Sequence, residues 1–193
     1  MALFPSGKGG GDKVAHGYKG KGVTIHILVE GYGYPIAANT TAANSSEVKE
    51  VLDLLSSAKV PRHSGGRPRS CPKELQADKG YDSQPLRENL RKKKVRPIIP
   101  RRHFKGRRQR AGKKPPPLVD RFKVERCFAW MQRKFRRLVV RWERKSIVWD
   151  AFLTLGIIMM WMDRIYDKEI LFGLVHDFWA WALFASPKNL LFT

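Results

Sequence analysis

The sequence predicts a mixed α/β domain, and three features carry that prediction. Apolar, often β-branched segments at 23–29, 35–40 and 95–99 alternate with helical signals at 44–55, 83–93 and 120–142. Hydrophobic residues make up 42% of the 193, enough to bury a core, which excludes a wholly disordered basic chain. No internal repeat points to a solenoid or an all-helical array.

Taken in order, residues 1–22 are dense in glycine and lysine and read as a flexible lead-in. They fit neither a Walker loop nor a strand-to-helix GxGxxG turn, so no nucleotide site is expected there. Glu30-Gly31-Tyr32-Gly33 supplies the glycines of a hairpin turn between strands at 23–29 and 35–40. Pro35 is tolerated at the start of a strand. Asn44, with Glu47 three residues on, caps a helix in which Val48, Val51, Leu52 and Leu55 recur at helical spacing. Residues 59–72, with Gly65, Gly66 and three prolines, form a loop.

A short segment at 73–77 leads into Asp78-Lys79-Gly80-Tyr81-Asp82. Asp82 or Ser83 caps a helix over 83–93 whose first turn accepts Pro85, and Pro100 ends a strand at 95–99. A basic loop rich in Pro and Gly covers 101–117. In a helix over 120–142, Val124, Phe128, Met131, Phe135, Leu138 and Trp142 step by four and three residues and make one apolar stripe. Residues 147–162 are interrupted by Asp150, fall short of a membrane span and read as a buried core helix. Residues 170–184 are apolar again. A membrane hairpin around the polar link 163–169 is the alternative reading of these two stretches.

The charge is concentrated. Lys and Arg number 38 against 17 acids, for a net charge of +21, and 24 of those bases stand between Arg87 and Lys145 beside only four acids. Phe104, Phe122, Phe128, Trp130, Phe135 and Trp142 interleave with them and read as core-forming, so the block reads as a folded basic surface. A polyanion, above all nucleic acid, is the partner such a surface fits. Cys71 and Cys127 are too few for a disulfide framework or a four-cysteine zinc site. The first residues lack the apolar core of a secretory signal, so a reduced, cytoplasmic setting is expected. Glu125 is the single acid within 121–142, four residues after Arg121. By spacing alone it is one half of an i, i+4 ion pair.

Several blocks, in order, resemble the catalytic domain of bacterial insertion-sequence transposases of the DDE class. They are Gly9-Gly10-Gly11, Tyr18-Lys19-Gly20-Lys21-Gly22 and Thr41-Ala42-Ala43-Asn44. Ala77-Asp78-Lys79-Gly80-Tyr81-Asp82 resembles the family's second-carboxylate motif, and Arg121-Phe122-Lys123-Val124-Glu125-Arg126-Cys127-Phe128-Ala129-Trp130 its third. The resemblance covers about residues 7–162. It implies an RNase H-like mixed sheet flanked by helices, incomplete at the N-terminus, over 23–162, with a divergent apolar tail at 163–193.

The resemblance also implies metal-dependent DNA cleavage and strand transfer, with Asp78 and Glu125 as catalytic ligands of Mg²⁺ or Mn²⁺, two ions in the intact family. Arg121 is then a phosphate-positioning residue. Arg101, Arg102, Lys105, Arg107 and Arg108 in the basic loop, with Arg126, Arg133, Arg136 and Arg137, are the further expected DNA contacts. The family's first Asp lies on a strand just before the Gly-rich segment, and no Asp occurs here before Asp12. Asp12 sits among glycines that would not hold it, and Glu30 is in a turn. The chain thus reads as an N-terminally truncated transposase copy, inactive alone, nucleoid-associated, with DNA and an intact transposase or a second copy as partners. It is not expected to take a small-molecule substrate. Alternatives are a non-enzymatic DNA-binding or interfering fragment, a small membrane protein, and an unstable relic with an uncovered sheet edge.

Overall fold

A computed structural model describes residues 2–62, 64–102 and 121–166. Its strands are β1 (Ala2–Leu3), β2 (Ser6–Gly7), β3 (Ala15–Gly17), β4 (Gly20–Val29), β5 (Pro35–Ala42), β6 (Glu74–Gln76), β7 (Arg96–Ile98) and β8 (Val140–Arg141). The helices are α1 (Glu47–Ser57), α2 (Gln84–Lys92), α3 (Arg121–Lys134) and α4 (Ser146–Ile165). The chain divides into two units, Met1–Thr154 and Leu155–Thr193. Of the second, the described part is the latter half of α4 and Tyr166. The mixed α/β class expected from the sequence is what folds.

β4 organises the larger sheet because its residues are buried on both faces: Val23, Thr24, Ile25, His26 and Ile27 all lie inside. Along one edge it pairs antiparallel with β5, from Val23 opposite Ala42 to Val29 opposite Pro35. The turn between them is tied by its own acid. Gly33 at φ +96° donates to the Glu30 carbonyl, and the Glu30 carboxylate accepts the backbone N–H of Tyr32 at 2.8 Å and of Tyr34 at 3.2 Å.

The other edge of β4 takes up part of the segment expected to be flexible. β1 and β2 pair antiparallel along it, and β2 also pairs parallel with β8, whereas β3 pairs antiparallel with residues 20–22 on the β5 side, Gly22 lying between Ser6 and Ala15. The glycines are there for close approach rather than for freedom. A Cβ on Gly9 would collide with the Trp142 carbonyl, and the Gly9 N–H donates to the Arg141 carbonyl at 3.3 Å. Asp12, expected to be unheld, accepts the Ser146 N–H on both oxygens at 2.9 Å and so caps α4 from a distant part of the chain. Those Ser146 hydrogen bonds hold its carboxyl below the usual carboxylate range.

α1 starts at Glu47, later than expected, with Ser46 rather than Asn44 at its cap. It joins two apolar clusters. Leu55 packs with Leu75, Tyr81, Leu86, Leu90, Val95 and Ile99, whereas Leu54 packs with Ala37 and Ala58 against β5. Leu28 touches both clusters. β6 and β7 pair parallel, a separate two-stranded sheet, and α2 connects them across the first cluster.

α3 ends at Lys134, not at 142. A short 3₁₀ turn (Arg136–Leu138) follows, and β8 then leaves the helical course to pair with β2. Arg141, with no exposed surface, enforces that departure by donating to the Glu143 carbonyl at 2.9 Å and the Arg144 carbonyl at 3.2 Å. Trp142, placed on the apolar stripe by spacing, is 56% exposed.

α4 buries Trp149 and Leu153, while Ile147 and Val148 are exposed, so the expected buried core helix is buried on one side only. Its interrupting Asp150 is used: it accepts from the Thr40 hydroxyl and from Lys13 Nζ. By length and composition alone α4 could cross a membrane, a test that core helices also pass.

Two predictions follow from this packing. Gly9→Ala should destabilise the fold by about 1–3 kcal/mol in urea unfolding, because the added methyl meets backbone. Gly31→Ala, with nothing within 4 Å of its Cβ, should be nearly neutral; equal effects would mean that the lead-in is not packed.

The second concerns His26, whose Nε2 lies 2.8 Å from the Thr41 hydroxyl and whose pKa burial lowers from 6.5 to about 4. The unfolded chain therefore takes up a proton below pH 6.5 that the folded chain refuses until about pH 4. Stability contributed by neutral His26 is present above that window and is lost as pH falls through it, by about 1–3 kcal/mol. His26→Gln should flatten the pH dependence of the unfolding midpoint between those values.

Candidate carboxylate site and basic surface

β6 ends against β7 with the Ala77 N–H on the Ile98 carbonyl at 3.2 Å, and the next residue is Asp78. Asp78 caps the short 3₁₀ turn Lys79–Tyr81: its Oδ1 accepts the Lys79 N–H at 2.7 Å. This bond fixes the carboxylate at the strand end. Glu125 stands in the second turn of α3, with its side chain 48% exposed.

One guanidinium brings the two acids together. Arg121 Nε donates to Glu125 Oε1 at 2.9 Å, and its Nη1 lies 3.7 Å from Asp78 Oδ1. The spacing-based expectation of an Arg121–Glu125 ion pair is therefore met, and the tertiary fold adds Asp78 to it. Asp78 and Arg121 border a cavity of about 360 Å³ also lined by residues 27–29 of β4 and by Leu75, Tyr81 and Val124. Among the described residues, positions 27–29 pair only with β5, and β6 pairs only with β7. The cavity is lined by both of these strand edges.

Carboxylate oxygens are the donors that Mg²⁺ and Mn²⁺ favour, so the chemistry of Asp78 and Glu125 fits such an ion. Among the described residues there is no group of three or more His, Cys, Asp or Glu placed to hold a metal. Glu30 lines the same cavity, but its carboxylate is occupied by the two turn N–H groups. Asp12 is committed to the start of α4.

Behind the site a second arginine is built into the fold. Arg87 donates to Asp82 Oδ1 through Nε at 2.9 Å and Nη2 at 2.7 Å, and to the Ile99 carbonyl at 2.7 Å. Burial works to raise the Asp82 carboxyl, but the Arg102 N–H and the Arg87 guanidinium outweigh it and hold the group low. Spacing did not single out Arg87; an arginine on the apolar side of a short helix was the available signal.

The expected DNA contacts separate into several groups. Arg102 is spent on structure, with its guanidinium on the carbonyls of Lys79 at 3.1 Å and Gly80 at 3.2 Å. Arg137 faces Glu143 at 3.4 Å and Phe152. Arg101, Arg133 and Arg136 are exposed. Arg126 is exposed but held by its neighbours, with its guanidinium over the rings of Phe122 and Trp130 and donating to the Tyr32 carbonyl at 3.1 Å. Lys105, Arg107 and Arg108 lie outside the described residues.

The aromatics of the basic block are not all core. Phe128 and Phe135 are buried, but Phe122 is 52% and Trp130 37% exposed. Phe104 lies outside the described residues. The exposed rings sit beside cations, which hold them at the surface at little cost.

Exposure ranks the two arginine pairs. Arg121→Gln should shift the unfolding free energy by less than about 1 kcal/mol, because its partners are wet. Arg87→Gln should cost about 3–5 kcal/mol, because it strands Asp82 in a mostly buried site. Urea titration of both variants checks the order.

Residues 4–162 match the family described as transposase DDE domain. The "Putative transposase for insertion sequence element IS402" of Burkholderia cepacia is 37% identical over 134 residues, covering 68% of this chain and 58% of that protein. This chain thus spans a little over half the length of that relative. No solved structure matches this chain.

Proposed function

The chain belongs to the transposase DDE domain family, and from that premise we propose that it is a DNA-binding part of an RNase H-like transposition domain, with Asp78 and Glu125 as its metal-holding carboxylates. The observation that supports this most is the shared guanidinium: a strand-end acid and a helix acid 47 positions apart in sequence both lie within 4 Å of Arg121. A simple helix-surface ion pair has no need of Asp78.

Mg²⁺ or Mn²⁺ bound there would stabilise charge on phosphodiester oxygens. The chain's own residues do the rest of the work at the site. The Lys79 N–H keeps the Asp78 carboxylate at the strand end, and α3 presents Glu125 from the other side. Arg121 balances both acids and offers a planar fork of N–H donors to a phosphate. Arg101, Arg133 and Arg136, with Lys105, Arg107 and Arg108 of the basic loop, follow the backbone by charge. Two carboxylates do not complete the set of three that the family resemblance implies, so strand joining by this chain alone is not expected. An intact transposase or a second copy would be its partner on DNA.

A second reading, a DNA binder with no catalytic metal, is favoured by the ion pairs that already balance both acids. Two measurements separate them. Mn²⁺ titration followed by electron paramagnetic resonance should show binding that weakens at least about tenfold in Asp78→Asn and in Glu125→Gln. Unchanged affinity in both variants leaves the metal-free reading. Duplex DNA binding should survive Glu125→Gln and fall by about a thousandfold between about 50 and 200 mM salt if some six phosphates are contacted. Binding indifferent to salt would rule out the basic surface as the contact.

A further inference from the structure

We infer that the exposed face of α3 formed by Phe122, Arg126 and Trp130, with Tyr32 beside it, is a stacking platform for unpaired bases of a DNA strand, adjacent to Glu125. This rests on the DNA-binding reading above and names the form of DNA that the site takes.

Three observations carry it. The first is exposure. Phe122 is 52%, Trp130 37% and Tyr32 70% exposed, on a face where an ordinary surface helix carries polar residues. The second is order. Phe122, Arg126 and Trp130 recur every four residues along one side of the helix. The Arg126 guanidinium lies 5.5 Å from the Phe122 ring centre and 4.9 Å from that of Trp130. Its bond to the Tyr32 carbonyl and the contact of Trp130 with Tyr34, ring centres 6.0 Å apart, fix the rings before any ligand arrives. The third is charge. Lys123, Arg126 and Arg133 stand on or beside this stretch, within the block that carries nearly all of the chain's net charge of +21.

Aromatic faces flanked by cations suit nucleobases strung on a phosphate backbone. An apolar protein surface would have to desolvate those cations without compensation. The spacing argues for unpaired DNA. Positions four apart on a helix are displaced by about 6 Å along its axis, whereas bases in a duplex strand are stacked about 3.4 Å apart. Stacked bases present no faces to the platform; splayed bases do. Glu125 is three positions from Phe122, a neighbouring place on the helix surface, so a strand end resting on that ring lies next to the carboxylate site.

The test compares a blunt duplex of about 20 base pairs with the same duplex carrying about five unpaired nucleotides at one 3′ end, by fluorescence anisotropy. The wild-type chain should prefer the tailed DNA by about tenfold, the worth of roughly one stacked base. Phe122→Leu and Trp130→Leu, which keep apolar bulk but remove the π face, should together bring that preference close to one and leave blunt-duplex affinity in place. A preference that persists in the double variant, or no preference in the wild type, overturns the platform while leaving the DNA reading intact. Failure to bind either DNA overturns both. If the double variant instead converts a dimer to a monomer in sedimentation and keeps its preference for tailed DNA, the face holds a second copy and the platform is wrong.

Discussion

β4 is buried on both faces through Ile27 and is paired along both edges up to His26, and much of the arrangement follows from that. β5 meets one edge through a turn short enough to be closed by the carboxylate of Glu30. The other edge recruits β1 and β2 from the glycine-rich segment, and β3 from the same segment extends the β5 edge. β2 brings β8 into the same sheet, and with it the chain that follows α3. The position of α3, and hence of Glu125 relative to Asp78, is bounded on one side by that pairing and on the other by the hairpin turn, where a Cβ on Gly33 would press on Lys123.

A chain this basic has to decide what each arginine is for, and the structure divides them by solvent. Arg87 and Arg141 are buried and donate to backbone carbonyls, Arg87 also to the Asp82 carboxylate, so they act as internal ties. Arg102 is exposed but ties the turn after Asp78 to the end of β7's strand segment. Arg121 balances two wet carboxylates, and Arg126 is aligned by rings. Among the described residues expected to contact DNA, Arg133, Arg136 and Arg101 are exposed without such a structural tie. Asp78 and Glu125, the two acids singled out by resemblance in the sequence, are the ones that Arg121 gathers.

The sequence by itself determined the class of fold, the hairpin around Glu30, the positions of β7 and α2, and the Arg121–Glu125 pair. These rest on interactions between residues close in the chain, where spacing is geometry: period two or 3.6, a turn, an i, i+4 contact. Only the tertiary structure decided that the glycine-rich start is strand, because a glycine required for freedom and one required for close approach look alike in sequence, and Gly9 is the second kind. It alone stopped α3 at Lys134, since the competing pairing of β8 with β2 joins segments more than 130 positions apart. It placed Phe122 and Trp130 outside, because an aromatic at helical spacing is core on one side of a helix and exposed on the other, and only the neighbouring elements say which side is covered. It brought Asp78 to Arg121 for the same reason: the contact is made by the packing of a strand end against a helix, and no local rule specifies it.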